Sequence, residues 1–468
     1  MKKIISIMLI LLMLFSVLGL GFAEENSEET GALVIIGGAL DPENGAIYNK
    51  IIELTNKPRE EVKIAIIPAA SQTPSRSGGL YKSDFVDLYN VLEENVKVFP
   101  IAVEDDDTTK DLDESTWSNN GFNEGLASEI LKYDAVFFTG GSQLRIMESL
   151  IDEDGNEGVV LKSIREIYNR GGVIAGTSAG AAIMSDPMIG AGTSFGALTQ
   201  GVTDKDNYFD ADDNRVFLTK GLGFLENVIT DQHFIKRGRF GRLITALLHT
   251  DTSMGYGIDE NTALVSKGNE LEVIGENGVM IIDTSKASKT FVDTRLKATG
   301  IIISYLEKGD KYNVLTKEFT INEKKQTTLG YEYYTGNKLN TNIFGKDSVV
   351  DTLTYDLVDN IETEAVGVSF NLEGVGIKLV FNQDSETKGY WGKIDGEESY
   401  AVANVKLDIL PVKVEIIELN TSSTYIIKEG DTLINIAKQF DLKLKDIMDY
   451  NNIKNPTDIK VGQKLILE

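Results

Sequence analysis

The chain has 468 residues and no cysteine, so disulfides, thiolate nucleophiles and thiolate metal sites are excluded and its cores must hold without cross-links. Its 72 acidic residues outweigh 46 basic ones, and the formal charge of −26 argues against nucleic-acid binding, which needs clustered cations; a polycationic or arginine-rich substrate would be attracted instead. With 42% hydrophobic residues the chain has material for about three folded domains and is not a disordered polymer.

Residues 1–23 set Lys2 and Lys3 before an apolar run and end in Gly21-Phe22-Ala23, a small-x-small cleavage pattern. This predicts a secretory signal peptide and export, although the run is nearly long enough for an uncleaved anchor. After a polar spacer, Ala32–Ile36, Lys63–Pro68, Val96–Ile101 and Tyr133–Thr139 are continuous apolar runs separated by helical stretches. Such runs suit strands buried on both faces, and their alternation with helices predicts an α/β fold with a doubly wound parallel sheet. Val160, Ile164 and Ile167 recur at helical spacing just before the next apolar run, Val173–Ala175.

That run breaks into a G-x-S-x-G pentapeptide, Gly176 to Gly180, a strand-turn-helix elbow able to expose Ser178 as a nucleophile. A glycine-rich turn here could equally hold phosphate at a helix N-terminus or simply turn the chain. A serine nucleophile needs a base, and His233 and His249 are the chain's two histidines. His233 follows the apolar run Val228–Thr230 and is expected at a sheet's carboxyl edge, whereas His249 sits near a helix end, where an imidazolium can act as a cap. Arg237, Arg239 and Arg242 follow His233 closely, either as a solvated helix face or as a cluster recognising substrate carboxylates. Composition cannot choose the third member of a triad among 72 acids, but Asp259 and Glu260 end a short strand at Gly255 to Asn261. Between nucleophile and base, the acidic stretch Asp204 to Asn214 alternates carboxylates in a way that hints at calcium, yet it lacks the glycine and terminal glutamate of an EF-hand loop.

These motifs resemble the cyanophycinase and peptidase E family of serine exopeptidases, cyanophycinase the more closely, over roughly Gly31 to Asp283. The resemblance rests on GGAL at Gly37, FFTGGSQLRI at Phe137, GTSAGAAIMSDPMI at Gly176, DQHFIKRGRFGRL at Asp231 and GIDENTAL at Gly257. It implies a glutamine-amidotransferase-like catalytic domain, taken as residues 31–294, with a triad of Ser178, His233 and Glu260. The backbone N–H groups of Gly141 and Ala179 are the expected oxyanion donors, and Gln143, Asp231, Gln232, Arg237, Arg239 and Arg242 the expected substrate-binding groups. The implied substrate is cyanophycin, a polyaspartate carrying arginine on its side-chain carboxyls, or another β-aspartyl peptide, with release of β-Asp-Arg. The resemblance favours a homodimer, and neither metal nor cofactor is expected. The Asp204 to Asn214 connection is longer than the family's pattern. An exported enzyme would also meet cyanophycin only outside the cells that store it.

Residues 295–419 show short alternating strands, such as Val366–Leu372 and Gly376–Phe381, which predict a β-rich domain or an extension of the catalytic one. Tyr390 and Trp391 fit core packing better than a sugar platform. In residues 424–468 a strand runs into Gly430, Asp431 and Thr432, a helix carries Leu433, Ile436 and Ala437 on one face, a second carries Leu444, Ile447 and Met448, and a strand returns. This stretch resembles a LysM module of βααβ form, which implies binding to peptidoglycan or another N-acetylglucosamine polymer and a place at the cell wall. Gly430, Asp431, Thr432, Asn455, Pro456 and Ile459 are the residues expected beside the glycan groove.

Overall fold

The computed structural model describes residues 30–203, 214–336, 338–415 and 423–467. The expected signal peptide and Asp204 to Asp213 of the acidic stretch lie outside the described residues. The chain divides into two compact units with a boundary after Lys413.

In the first unit, β1 (Ala32–Ile36), β2 (Ile64–Ile67), β3 (Val96–Val98) and β4 (Ala135–Phe138) precede α1 (Val159–Asn169), β5 (Val173–Thr177) and the short α2 (Ala179–Ala182). The five strands run parallel in the order β1-β5-β4-β2-β3. Their apolar runs are continuous because both faces are covered. Leu33 and Ile35 of β1 enter one core while Val34 and Ile36 enter another, and Ala65 and Ile67 against Ile64 and Ile66 repeat that division in β2. Val160, Ile164 and Ile167 of α1 join the first of these cores.

The chain then leaves this sheet. β6 (Val228–Asp231), α3 (Phe240–Thr250) and β7 (Met254–Ile258) build a second layer, and β8 (Thr262–Lys267) returns to pair antiparallel with β1. β9 (Glu270–Gly275) extends the first sheet, and β10 (Val279–Asp283) and β11 (Arg295–Leu306) extend the second. β12 (Lys311–Asn313) and β13 (Phe319–Thr320) finish the first sheet's antiparallel edge, whereas β14 (Glu364–Phe370), β15 (Val375–Asn382), β16 (Lys388–Ile394) and β17 (Glu397–Lys413) belong to the second. The fold is α/β, but the strand before His233 is not in the sheet of the serine: β6 pairs parallel with β7, and β7 pairs antiparallel with β10. Residues 295–306 and 364–413 are continuous with that second sheet through β10-β11-β17-β15-β14. Their strands share a buried core with Phe234 and Phe240.

The second unit holds β18 (Thr424–Ile426), α4 (Leu433–Gln439), α5 (Leu444–Tyr450) and β19 (Lys464–Ile466), with β18 and β19 antiparallel. Leu433, Ile436 and Ala437 of α4, Ile447 of α5 and Leu465 of β19 form its core. No helix among the described residues is long and apolar enough to cross a membrane.

Candidate active site

Ser178 occupies a strained turn between β5 and α2, with φ 54° and ψ −106°. The glycines on either side make the turn possible by packing against each other. A Cβ on Gly176 would lie 2.3 Å from the Gly180 carbonyl oxygen, and one on Gly180 would lie 2.7 Å from that of Phe138. The hydroxyl is half-buried.

Three consecutive carbonyls at the end of β1 gather the site. Ile36 O accepts from Ser178 N at 2.9 Å, Gly37 O from His233 N at 2.7 Å, and Gly38 O from Asn261 N at 2.8 Å. Gly38, at φ 109°, sits against the imidazole so closely that a Cβ would fall 2.4 Å from Nε2 and Cε1. The β6–β7 register places Asp231 beside Gly257, so the loop after each strand emerges at the same edge. Asp259 Oδ1 accepts from Ile235 N and Lys236 N, both at 3.0 Å, and fastens the turn that follows His233. Burial raises the Asp259 carboxyl above the usual range.

The result is a line of three side chains. Ser178 Oγ lies 2.9 Å from His233 Nε2, and His233 Nδ1 lies 2.6 Å from Glu260 Oε1. Gln232 Oε1 is a second, longer neighbour of the hydroxyl at 3.4 Å. Burial of His233 lowers its pKa below the ordinary 6.5; the Glu260 hydrogen bond opposes this, and the Arg237 and Arg239 charges reinforce it. A neutral imidazole held by a carboxylate and touching a hydroxyl can take that hydroxyl's proton. His249 is exposed at the end of α3, away from this line.

The expected substrate groups separate into two kinds. Asp231 and Arg242 are paired with each other and buried. Arg242 Nε and Nη2 donate to the two Asp231 oxygens at 2.7 and 2.6 Å, the side chains are only 5% and 2% exposed, and Arg242 Nη1 also donates to Gly192 O. Opening such a pair would strand a buried charge at a cost of about 3–5 kcal/mol. Gln143 Nε2 likewise holds Ile189 O and Gly190 O, each at 2.9 Å. Arg239 donates to Gln232 O at 2.7 Å and is pushed down to about 10, first by burial and then by the Arg242 charge. Arg237 is different: its side chain is 54% exposed, with Nε 3.7 Å from Glu260 Oε1.

Beside the serine, a cleft of about 510 Å³ is lined by Ser71, Gln72, Thr73, Gly140, Gly141, Ser142 and Arg145. Gly141 adopts φ 144° against Ala70, where a Cβ would meet the carbonyl oxygen at 2.0 Å. Ala179 opens α2 directly after the serine. Gly38 and Asp259 were not readable as positioning residues, since glycine pairs are common turns and a carboxylate gives no sequence sign of which N–H groups it accepts. Residues beyond 294 also touch this region: Lys236 Nζ pairs with Asp347 at 2.8 Å, and a Cβ on Gly238 would lie 1.9 Å from Phe344 O.

In the second unit Gly430 takes φ 88°. Asp431 accepts from Lys428 N at 2.7 Å and Tyr425 Oη at 2.8 Å, which lowers its pKa, and Thr432 caps α4 by accepting from Asn435 N. Asn455 Oδ1 accepts from Thr457, Pro456 is half-buried, and Ile459 packs on the module's core. The Asp431 carboxylate is thus engaged in holding its own loop.

A serine on a strand-turn-helix elbow, in contact with an imidazole that contacts a carboxylate, is the constellation of a serine-type hydrolase. The chain belongs to peptidase family S51, which it matches over residues 33–274, and it carries a LysM domain at residues 425–468. It is 31% identical over 295 residues to a cyanophycinase of Geminocystis herdmanii (strain PCC 6308), covering 61% of this chain and 95% of that protein. It is 29% identical over 304 residues to a cyanophycinase of Thermosynechococcus vestitus, covering 63% and 82%. The C-terminal unit is 46% identical over 46 residues to the N-acetylmuramoyl-L-alanine amidase XlyA of Bacillus subtilis, which is 10% of this chain and 16% of that one. The protein is a cyanophycinase-like serine-type peptidase with a LysM domain.

The electrostatics of His233 are directly measurable because only one other histidine shares the spectrum. In a His249→Asn background, NMR titration of the remaining imidazole should give a midpoint below 6.5, and Arg237→Ala should move it upward by removing a charge that opposes protonation. A midpoint at or above 6.5, or a downward move in Arg237→Ala, would contradict this account.

Proposed function

We propose that the protein is an exported serine exopeptidase that hydrolyses cyanophycin or related β-aspartyl peptides, releasing β-Asp-Arg, and that its LysM domain retains it at the cell wall. The observation that carries the reading is the continuous line from Ser178 through His233 to Glu260 within a family S51 chain. His233 removes the Ser178 proton as the hydroxyl attacks a backbone amide carbonyl, and then delivers it to the leaving amine. Glu260 fixes the tautomer with the acceptor nitrogen toward serine and stabilises the imidazolium as it forms. The N–H groups of Gly141 and Ala179 receive the developing oxyanion, a donor of this kind being worth about 3 kcal/mol of barrier. Neither donates to a protein acceptor among the described residues.

For substrate recognition the half-exposed Arg237 is the guanidinium open to a carboxylate of the ligand. Asp231 and Arg242 act through each other, bracing the loop that carries Gln232 and His233. Export is supported by the leader pattern of residues 1–23, and wall retention by the LysM match together with the similarity to a protein named as an N-acetylmuramoyl-L-alanine amidase.

Incubated with insoluble cyanophycin, the purified chain should release β-Asp-Arg, and Ser178→Ala should lower the rate by about ten-thousand-fold or more. Cleavage of other β-aspartyl peptides but not cyanophycin would move the substrate within the class. No hydrolysis of either would overturn the enzymatic reading. Removing residues after Lys413 should abolish sedimentation with purified peptidoglycan while leaving hydrolysis of a soluble β-aspartyl peptide within about twofold, given that the LysM unit has its own core. Retained sedimentation would refute the anchor.

A further inference from the structure

The β16–β17 region lies beyond the stretch matched to the peptidase family and contains a cavity of about 600 Å³, well within the range of small-ligand sites. Cross-strand register puts Trp391 opposite Tyr400 and next to Gln326, so these side chains share one face of the sheet. Tyr331 and Tyr333 are each 81% exposed and Trp391 38% exposed, an accumulation of large rings around one opening that core packing does not explain. Tyr390, its neighbour in sequence, instead packs against the core.

The rings are held in place. Buried Asp359 accepts from Tyr333 N at 2.9 Å and from Tyr400 Oη at 2.8 Å, while its carbonyl accepts from Tyr334 N at 2.9 Å. Tyr333 and Tyr334 meet edge to face at 5.0 Å, and Tyr334 and Tyr355 at 5.3 Å. The second carboxylate of the lining, Glu398, is exposed and has no ion-pair partner among the described residues. Lys393, opposite it on β16, is exposed outside the lining. The buried Lys325 is closed off by Asp310 and Tyr400 O. Carboxylate charge is felt inside: after burial, Glu398 is the next cause raising the Tyr334 and Tyr355 phenols.

We propose that this cavity binds a guanidinium-bearing side chain, the plane stacked on the exposed rings and the charge met by Glu398. Ring faces attract cations, a guanidinium is flat enough to stack, and a carboxylate accepts two of its N–H groups at once. A neutral sugar would use the rings but would leave the unpaired carboxylate without a role. The binding is independent of the catalytic reading, because no residue of the line from Ser178 to Glu260 takes part.

Trp117 and Trp391 are the chain's two tryptophans, so a Trp117→Phe variant of the full chain reports on the cavity alone. Its fluorescence should change saturably with N-acetyl-arginine amide and respond at least about tenfold more weakly to the citrulline counterpart, which keeps the shape and loses the charge. Glu398→Gln and Tyr331→Ala, both at exposed positions, should each weaken the arginine response about tenfold without shifting the unfolding temperature. An equal response to citrulline, a response to an N-acetylglucosamine trimer alone, no response, or unaltered titrations in both variants would each overturn the proposal.

Discussion

The end of β1 is the constraint on which the rest of the site depends. The carbonyls of Ile36, Gly37 and Gly38 accept, in turn, from the serine, from the histidine and from the residue after the glutamate. Three segments far apart in sequence are thus fixed to one another by a single strand end. The glycines are required there because the backbone turns at φ 109° at Gly38 and the imidazole occupies the space where a side chain would stand. Both Ser178 and His233 adopt positive φ, at 54° and 46°. Each such conformation costs on the order of 1–3 kcal/mol, and the interlocking hydrogen bonds with the surrounding cores oppose its relaxation.

The same junction joins the two sheets. β7 ends in the second layer, Asp259 and Glu260 form the turn, and β8 begins in the first, so the acid is held by strands of both. Charge is distributed there with some economy of position. Asp259 is turned to backbone N–H groups, Asp231 to Arg242, and Glu260 to the imidazole. Burial, reinforced by the nearby Arg237 and Arg239 charges, holds the pKa of that imidazole below its ordinary value.

Much of this was legible in the sequence because it is local. The five apolar residues of β1, the G-x-S-x-G turn and the helical spacing of Val160, Ile164 and Ile167 each follow from burial and backbone geometry within a short window. β3 ends at Val98, before Pro100, which lacks an N–H to continue the ladder. Sheet membership was not legible: an apolar run such as Val228–Thr230 shows that a strand is buried and not which partner it takes. The Asp231–Arg242 pairing was not legible for a similar reason. A carboxylate and a guanidinium near a candidate base look alike in sequence whether or not they pair, and the 2.6 Å contact shows that these two do. Residues 295–413 read as strands without a purpose, since neither their sharing of the second sheet nor the ring-lined cavity leaves a trace in periodicity.

Activation of Ser178 by the histidine seated on Gly37 and Gly38 is the step on which the proposed hydrolysis depends. Labelling the full chain with a fluorophosphonate and mapping the adduct by mass spectrometry tests it most directly, because the reagent reports an activated serine whatever the natural substrate. A single adduct on Ser178, formed at least about a thousandfold more slowly in His233→Ala, is the predicted result. An adduct on another residue, or labelling of Ser178 at an unchanged rate without His233, would contradict it.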